Sequence, residues 1–147
     1  MTELAKNKKA YFDYEILETF NAGIVLRGFE AKAVKTGKIN IAGSFVLIRG
    51  NQAYLLNSDI PPYQPQNTPS DYDSKRTRSL LLHKKELKRL IGLTQQKGLT
   101  LIPLRVYNAR NLVKLEFGLC RGKKKYEKRE AVKKRDVGRE IRRHLNS

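Results

Sequence analysis

The sequence predicts a mainly β fold, a small antiparallel barrel of about six strands with short peripheral helices and a basic C-terminal tail. Three observations carry that expectation. Short β-prone runs recur between turn-forming residues through most of the chain. A length of 147 residues fits one core with appendages rather than two ordinary domains. The composition also breaks at Arg121, beyond which apolar residues become scarce. The expected boundaries are therefore 1–120 for the barrel domain and 121–147 for the tail.

Phe12, Tyr14 and Ile16 alternate as a strand would present them, and Asn21-Ala22-Gly23 then offers a turn before Ile24–Leu26. This pattern predicts a hairpin, although Phe12, Ile16, Leu17 and Phe20 also fit one helical face. GFEAKAVKTGK holds helix formers between Gly28 and Gly37, enough for about two turns. Gly50-Asn51, between SFVLIRG and NQAYLLN, has the composition of a tight hairpin turn with positive φ. Residues 61–79 contain four prolines among polar residues and predict a long exposed loop, a class of segment that often carries function.

HKKELKRLIGLTQQKG sets Leu87, Leu90 and Ile91 on one helical face with cations opposite, and Gly98 is placed to stop the helix. LTLIPLRVY and NLVKLEFGL form the closing hairpin. Val113, Leu115 and Phe117 alternate there with Lys114 and Glu116, one face core and the other wet. An OB-like barrel, an architecture that also binds nucleic acid, is the natural candidate for such a set of strands.

Lys and Arg total 31 against 14 Asp and Glu, a formal charge of +17 that calls for an anionic partner. Residues 121–147 hold 12 of those cations and 4 of the acids, so the tail carries nearly half of the excess. Too few apolar residues remain there to offset ordering entropy, and the tail is expected to be disordered when free. Val137, Ile141 and Leu145 nevertheless recur every four residues, and Arg139 lies off their stripe, so the tail is expected to become helical on binding.

Nucleic acid is the leading partner. There is no run of about 18 apolar residues and no apolar signal core, so no membrane role is expected and the setting is read as cytoplasmic. One cysteine, Cys120, and two histidines, His83 and His144, form no zinc set, so no metal or other cofactor is expected; Cys120 reads as a small buried hydrophobe ending a strand. With no dense carboxylate motif or histidine pair, the chain is read as no enzyme.

Taken in order, AKNKKAYFDYEI, AGIVLRGFEAK with GKINIAGSFVLI, RTRSLLLHKKELKRL, QKGLTLIPLRVY and GKKKYEKRE resemble the small protein B family, the SsrA-binding proteins. The likeness spans nearly the whole chain. It implies an OB-type barrel that binds the tRNA-like domain of transfer-messenger RNA. It also implies delivery of that RNA to stalled ribosomes with a vacant A site, the tail occupying the empty message channel near the decoding centre. A general structured-RNA-binding or ribosomal protein is the competing class. The free protein is expected to be a monomer.

The same resemblance implies the site residues. Asn7 in KNKK matches a family RNA-binding asparagine, the alternative being a loop-satisfying amide; Lys8 beside it belongs with the cationic set, as do Lys32, Arg76 and Arg78. Lys114 matches a family RNA-binding position, and its outward place on an alternating strand permits phosphate contact; the alternative is an ordinary solvated lysine. Leu81 matches an RNA-binding leucine, with core packing as the alternative. Asn21 stands where the family commonly has an acid, keeping an acceptor but losing the charge. Glu30 matches another family acid, set either to contact RNA or to orient Lys32 or cap its helix. Gly122, Lys123 and Lys124 match the GKK that opens the tail. The implied ribosome-binding set is Lys125, Tyr126, Glu127, Lys128, Arg129, Arg139, Ile141 and Leu145. Glu127 replaces the usual Asp, and Tyr126 is suited to stacking on bases.

Overall fold

The computed structural model describes residues 2–122, which form seven strands and three α-helices. The strands are β1 (Thr2–Lys6), β2 (Tyr14–Ile24), β3 (Phe45–Arg49), β4 (Gln52–Leu56), β5 (Arg78–Leu81), β6 (Leu99–Ala109) and β7 (Leu112–Gly122). The helices are α1 (Lys8–Asp13), α2 (Gly28–Lys35) and α3 (Lys84–Leu93). The sheet runs β1-β6-β3-β4-β5-β2-β7, and an added β6–β7 pairing closes six of the strands into an antiparallel barrel with β1 laid against β6. Closure removes most of the free edges that a small sheet would otherwise expose.

Two hairpins follow from local chemistry. At the β3–β4 turn Gly50 and Asn51 both adopt positive φ, and at the β6–β7 turn Arg110 and Asn111 do so, the geometry that matches the twist of paired strands. α2 forms where expected. It stops in a two-bond cap, Gly37 N–H donating to Val34 and Lys38 N–H to Ala33, with Gly37 at φ +83°. α3 presents Leu90, fully buried, to the core but ends at Leu93. Gly98, expected as its stop, lies instead in the turn before β6, because Thr94 already caps the helix by donating its hydroxyl to the Leu90 carbonyl at 2.9 Å.

The expected hairpin over residues 12–26 is corrected. Residues 8–13 are helical, and β2 runs straight through Asn21-Ala22-Gly23. The reason is tertiary: those three residues pair with Glu116, Leu115 and Lys114 of β7, a strand long enough to hold them extended. β1, a seventh strand, had no sequence signal of its own. β7 continues to Gly122, where it pairs with Tyr14, two residues past the boundary expected from composition. Residues 123–147, with the expected tail helix, lie outside the described residues.

Inside the barrel, Phe20 stacks on Phe117 at 5.7 Å among Ile41, Leu55, Leu101 and Leu115. A second cluster, Ala10, Ile102, Leu104 and Cys120, fills the space beneath α1, so one end of β6 and β7 is covered on both faces. Cys120 is fully buried, and burial pushes its thiol up to about 11.

Buried charge ties the long loop down. Glu30 on α2 is fully buried and accepts from the Arg27 N–H at 2.9 Å, from Arg76 Nε at 3.0 Å and from Arg78 Nη2 at 2.7 Å. Arg78, also fully buried, donates further to Ser58 Oγ at 3.0 Å and to the Ser74 carbonyl at 2.9 Å. Tyr72 accepts from Arg78 and donates to the Ile60 carbonyl at 2.8 Å. No buried side-chain nitrogen or oxygen of this cluster is left without a hydrogen-bond partner.

Burial alone would raise the Glu30 carboxyl. Hydrogen bonds from Arg76, the Arg27 N–H and Arg78 outweigh it and hold the group at about 2 against an ordinary 4.5. The stabilisation this carboxylate contributes is complete above its unfolded value and is lost as pH falls from there toward about 2. Glu30→Gln, which leaves Arg78 buried without its counter-charge, is expected to cost about 3–5 kcal/mol in urea unfolding near neutral pH. The loss relative to wild type should shrink over that acid range; a gap independent of pH contradicts the assignment. Native protein should also resist thiol alkylation at pH 8 and react on unfolding, whereas rapid native labelling would contradict the burial of Cys120.

Candidate nucleic-acid interface

The closed barrel brings four strands into register on one outer face. Tyr107 on β6 is opposite Lys114 on β7, Lys114 is opposite Gly23 on β2, and Gly23 is opposite Leu81 on β5. Directly paired residues share a face, so these four form a continuous row across the barrel wall. A second row lies beside it, in which Arg105 is opposite Glu116 and Glu116 opposite Asn21.

A concavity of about 360 Å³ opens over the first row, lined by Asn21, Gly23, Leu81, His83, Leu112 and Lys114 among others. Leu81 and Leu112 are 65% and 61% exposed, so their apolar tips stand in water rather than in the core. A Cβ added at Gly23 would lie 3.6 Å from that of Leu81 and intrude on the floor of this hollow.

Asn21 is held by an unexpected partner, its Oδ1 accepting from the Tyr107 hydroxyl at 2.7 Å. Arg105 lies over the Tyr107 ring at 4.6 Å and pairs with Glu116 at 3.2 Å. The hydrogen bonds that Arg105 donates to Glu116 raise its guanidinium above its ordinary value despite some desolvation. With Glu116 thus answered, the surface around Lys114 keeps a positive balance. An apolar platform, an oriented amide and an ammonium group can together pack an unpaired base, bond its edge and contact a phosphate.

Asn21, Leu81 and Lys114 therefore meet although 60 residues of chain separate the first two and 33 the last two. Lys8 on α1 and Lys32 on α2 are exposed but do not line this hollow. Asn7, Glu30 and Arg78, expected to face RNA, are corrected: they are 4%, 0% and 0% exposed. Asn7 caps α1 through Ala10 N–H at 3.2 Å, and its Nδ2 donates to the Pro103 carbonyl at 2.9 Å, where β6 bulges. Its loop-satisfying alternative is the one displayed. Arg76, with a quarter of its side chain exposed, belongs to the Glu30 cluster; Glu30 caps α2 but does not orient Lys32. Gly122 is exposed at the end of β7. Lys123, Lys124, Lys125, Tyr126, Glu127, Lys128, Arg129, Arg139, Ile141 and Leu145 lie outside the described residues.

Sequence reasoning missed Tyr107, His83 and Leu112. Extending the outward set of Lys114 and Glu116 by one step reaches Leu112, and taking Arg110-Asn111 as a two-residue turn places Tyr107 opposite Lys114. Among the described residues, no cluster of His, Cys, Asp and Glu could hold a metal ion, and no helix is long and apolar enough to cross a membrane.

Residues 4–147 match the model of the family described as SmpB protein. The chain is 50% identical over 146 residues to an SsrA-binding protein of Thermosipho africanus, covering 99% of this chain and 97% of that one. An SsrA-binding protein of Carboxydothermus hydrogenoformans is 46% identical over 144 residues, covering 98% and 96%. A solved chain described under "tmRNA-SmpB: a journey to the center of the bacterial ribosome" matches with a TM-score of 0.68 and 45% identity, over 87% of this chain and 93% of that chain.

Proposed function

The chain belongs to the SmpB protein family, and from that premise we propose that it binds the tRNA-like domain of transfer-messenger RNA and delivers it to stalled ribosomes in the cytoplasm. Its activity is binding rather than catalysis. The observation that carries the reading is the exposed hollow on which Asn21, Gly23, Leu81 and Lys114 meet, with the buried Tyr107 behind it donating its hydroxyl hydrogen bond to Asn21. Folded RNA is recognised through shape, phosphates, 2′-hydroxyls and unpaired bases, and this face offers a group for each of the last three.

Residues 123–147 are assigned the other half of the task. Their cations displace counterions from ribosomal RNA in the message channel and decoding centre, a space that an intact message would fill. The pairing of β7 through Gly122 supports dividing RNA reader from channel probe after that residue.

Lys114→Ala is expected to weaken binding of the tRNA-like domain and to lower the magnitude of the salt slope by about one, with unchanged thermal stability. An identical salt slope would contradict a phosphate contact. Deleting residues 123–147 should leave most of the affinity for isolated transfer-messenger RNA and abolish peptide tagging on stalled ribosomes. Full tagging by the truncated protein would refute the division of labour.

A further inference from the structure

Leu81 has a second hollow on its other side. This concavity, of about 260 Å³, shares Leu81 and Leu82 with the first. Asn51, Gln52 and Ser79, all exposed, supply its polar groups, and Ala53, Leu80 and Leu87 its apolar ones. The β3–β4 turn positions that polar set, since Gly50 and Asn51 hold positive φ and bring Asn51 and Gln52 up beside β5. The Gln52 carbonyl oxygen accepts from the Tyr54 hydroxyl at 2.5 Å, which orients its amide.

Resting on the reading that the Leu81–Lys114 face holds transfer-messenger RNA, we propose that this second hollow receives another unpaired base of the same RNA. Leu81 then stands as a divider between two splayed nucleotides. Three features select that occupant. The hollow is continuous with the first through a leucine whose side chain stands mostly in water. Its polar residues are amides and a hydroxyl, which donate and accept as base edges require, and carry no charge. Lys84, Lys85 and Lys88 are exposed on α3, the helix that contributes Leu87 to the hollow, and are available to phosphates on either side of an extruded base. Gln52 and Asn51 would read the base edge while Leu81 and Leu87 pack against its faces.

The test is chemical probing of transfer-messenger RNA at nucleotide resolution, free and bound to the full-length protein. Wild type should protect two separate sets of unpaired bases. The double variant Asn51→Gly, Gln52→Ala keeps a turn residue tolerant of positive φ and should lose one set while retaining the other. Its affinity should fall by up to about tenfold, the scale of one hydrogen bond to a base edge. An unchanged protection pattern would overturn the second hollow while leaving the first intact. Lys114→Ala, probed alongside, separates the two ideas: if it leaves affinity and both protections unaltered, the RNA-binding face itself fails and the second hollow with it.

Discussion

β7 is paired on both sides along nearly its whole length, with β2 on one side and β6 on the other, and the remaining structure depends on that double ladder. It closes the barrel. It also fixes which residues meet on the outer wall, because a slip of one position would send Lys114 inward and Leu115 out. The register that buries Val113, Leu115 and Phe117 is therefore the register that aligns Tyr107, Lys114, Gly23 and Leu81. Core and candidate interface are two faces of one constraint. Where β6 bulges between Pro103 and Arg105, the Pro103 and Leu104 carbonyls accept from Asn7, so the irregularity also anchors the first helix.

A chain of net charge +17 must also decide which cations serve the fold. Arg78 and Arg76 converge on Glu30, linking α2 to the segment that leads into β5. Arg78 opens the strand that bears Leu81, so a buried ion cluster anchors the start of β5 and helps to position the exposed leucine at its end. Lys8, Lys32 and the α3 lysines stay in solvent, where their charge is available to an anionic partner. Composition alone reports the sum of these populations and cannot separate them.

Local chemistry was legible where one segment specifies its own geometry. The Gly50-Asn51 turn, the helix between Gly28 and Gly37 and the alternation through Lys114 and Glu116 could be taken from short stretches of residues. Asn21-Ala22-Gly23 misled because its turn propensity is outweighed by ladder partners some 90 positions later in the chain. Glu30 had no visible partner for the same reason, its arginines lying 46 and 48 residues away. Asn7 looked like a base reader because amide chemistry suits either role, and only the bulge of β6 decides between them. The resemblance carried Asn21, Leu81 and Lys114 individually. Their meeting on one hollow is a property of the closed sheet.

RNA docking on the outer face built on β5, β2 and β7 is the premise on which the assigned roles of Asn21, Leu81 and Lys114 rest. It is tested most directly by titrating isotope-labelled protein with the isolated tRNA-like domain of transfer-messenger RNA and following backbone amide resonances. The largest changes are expected at residues 21–23, 81–83 and 112–114, with Ala33, Val34 and Ile60 near the Glu30 cluster little altered. Changes concentrated instead around the separate hollow near Tyr14, Ser44 and Thr100, with the first set unmoved, would contradict it.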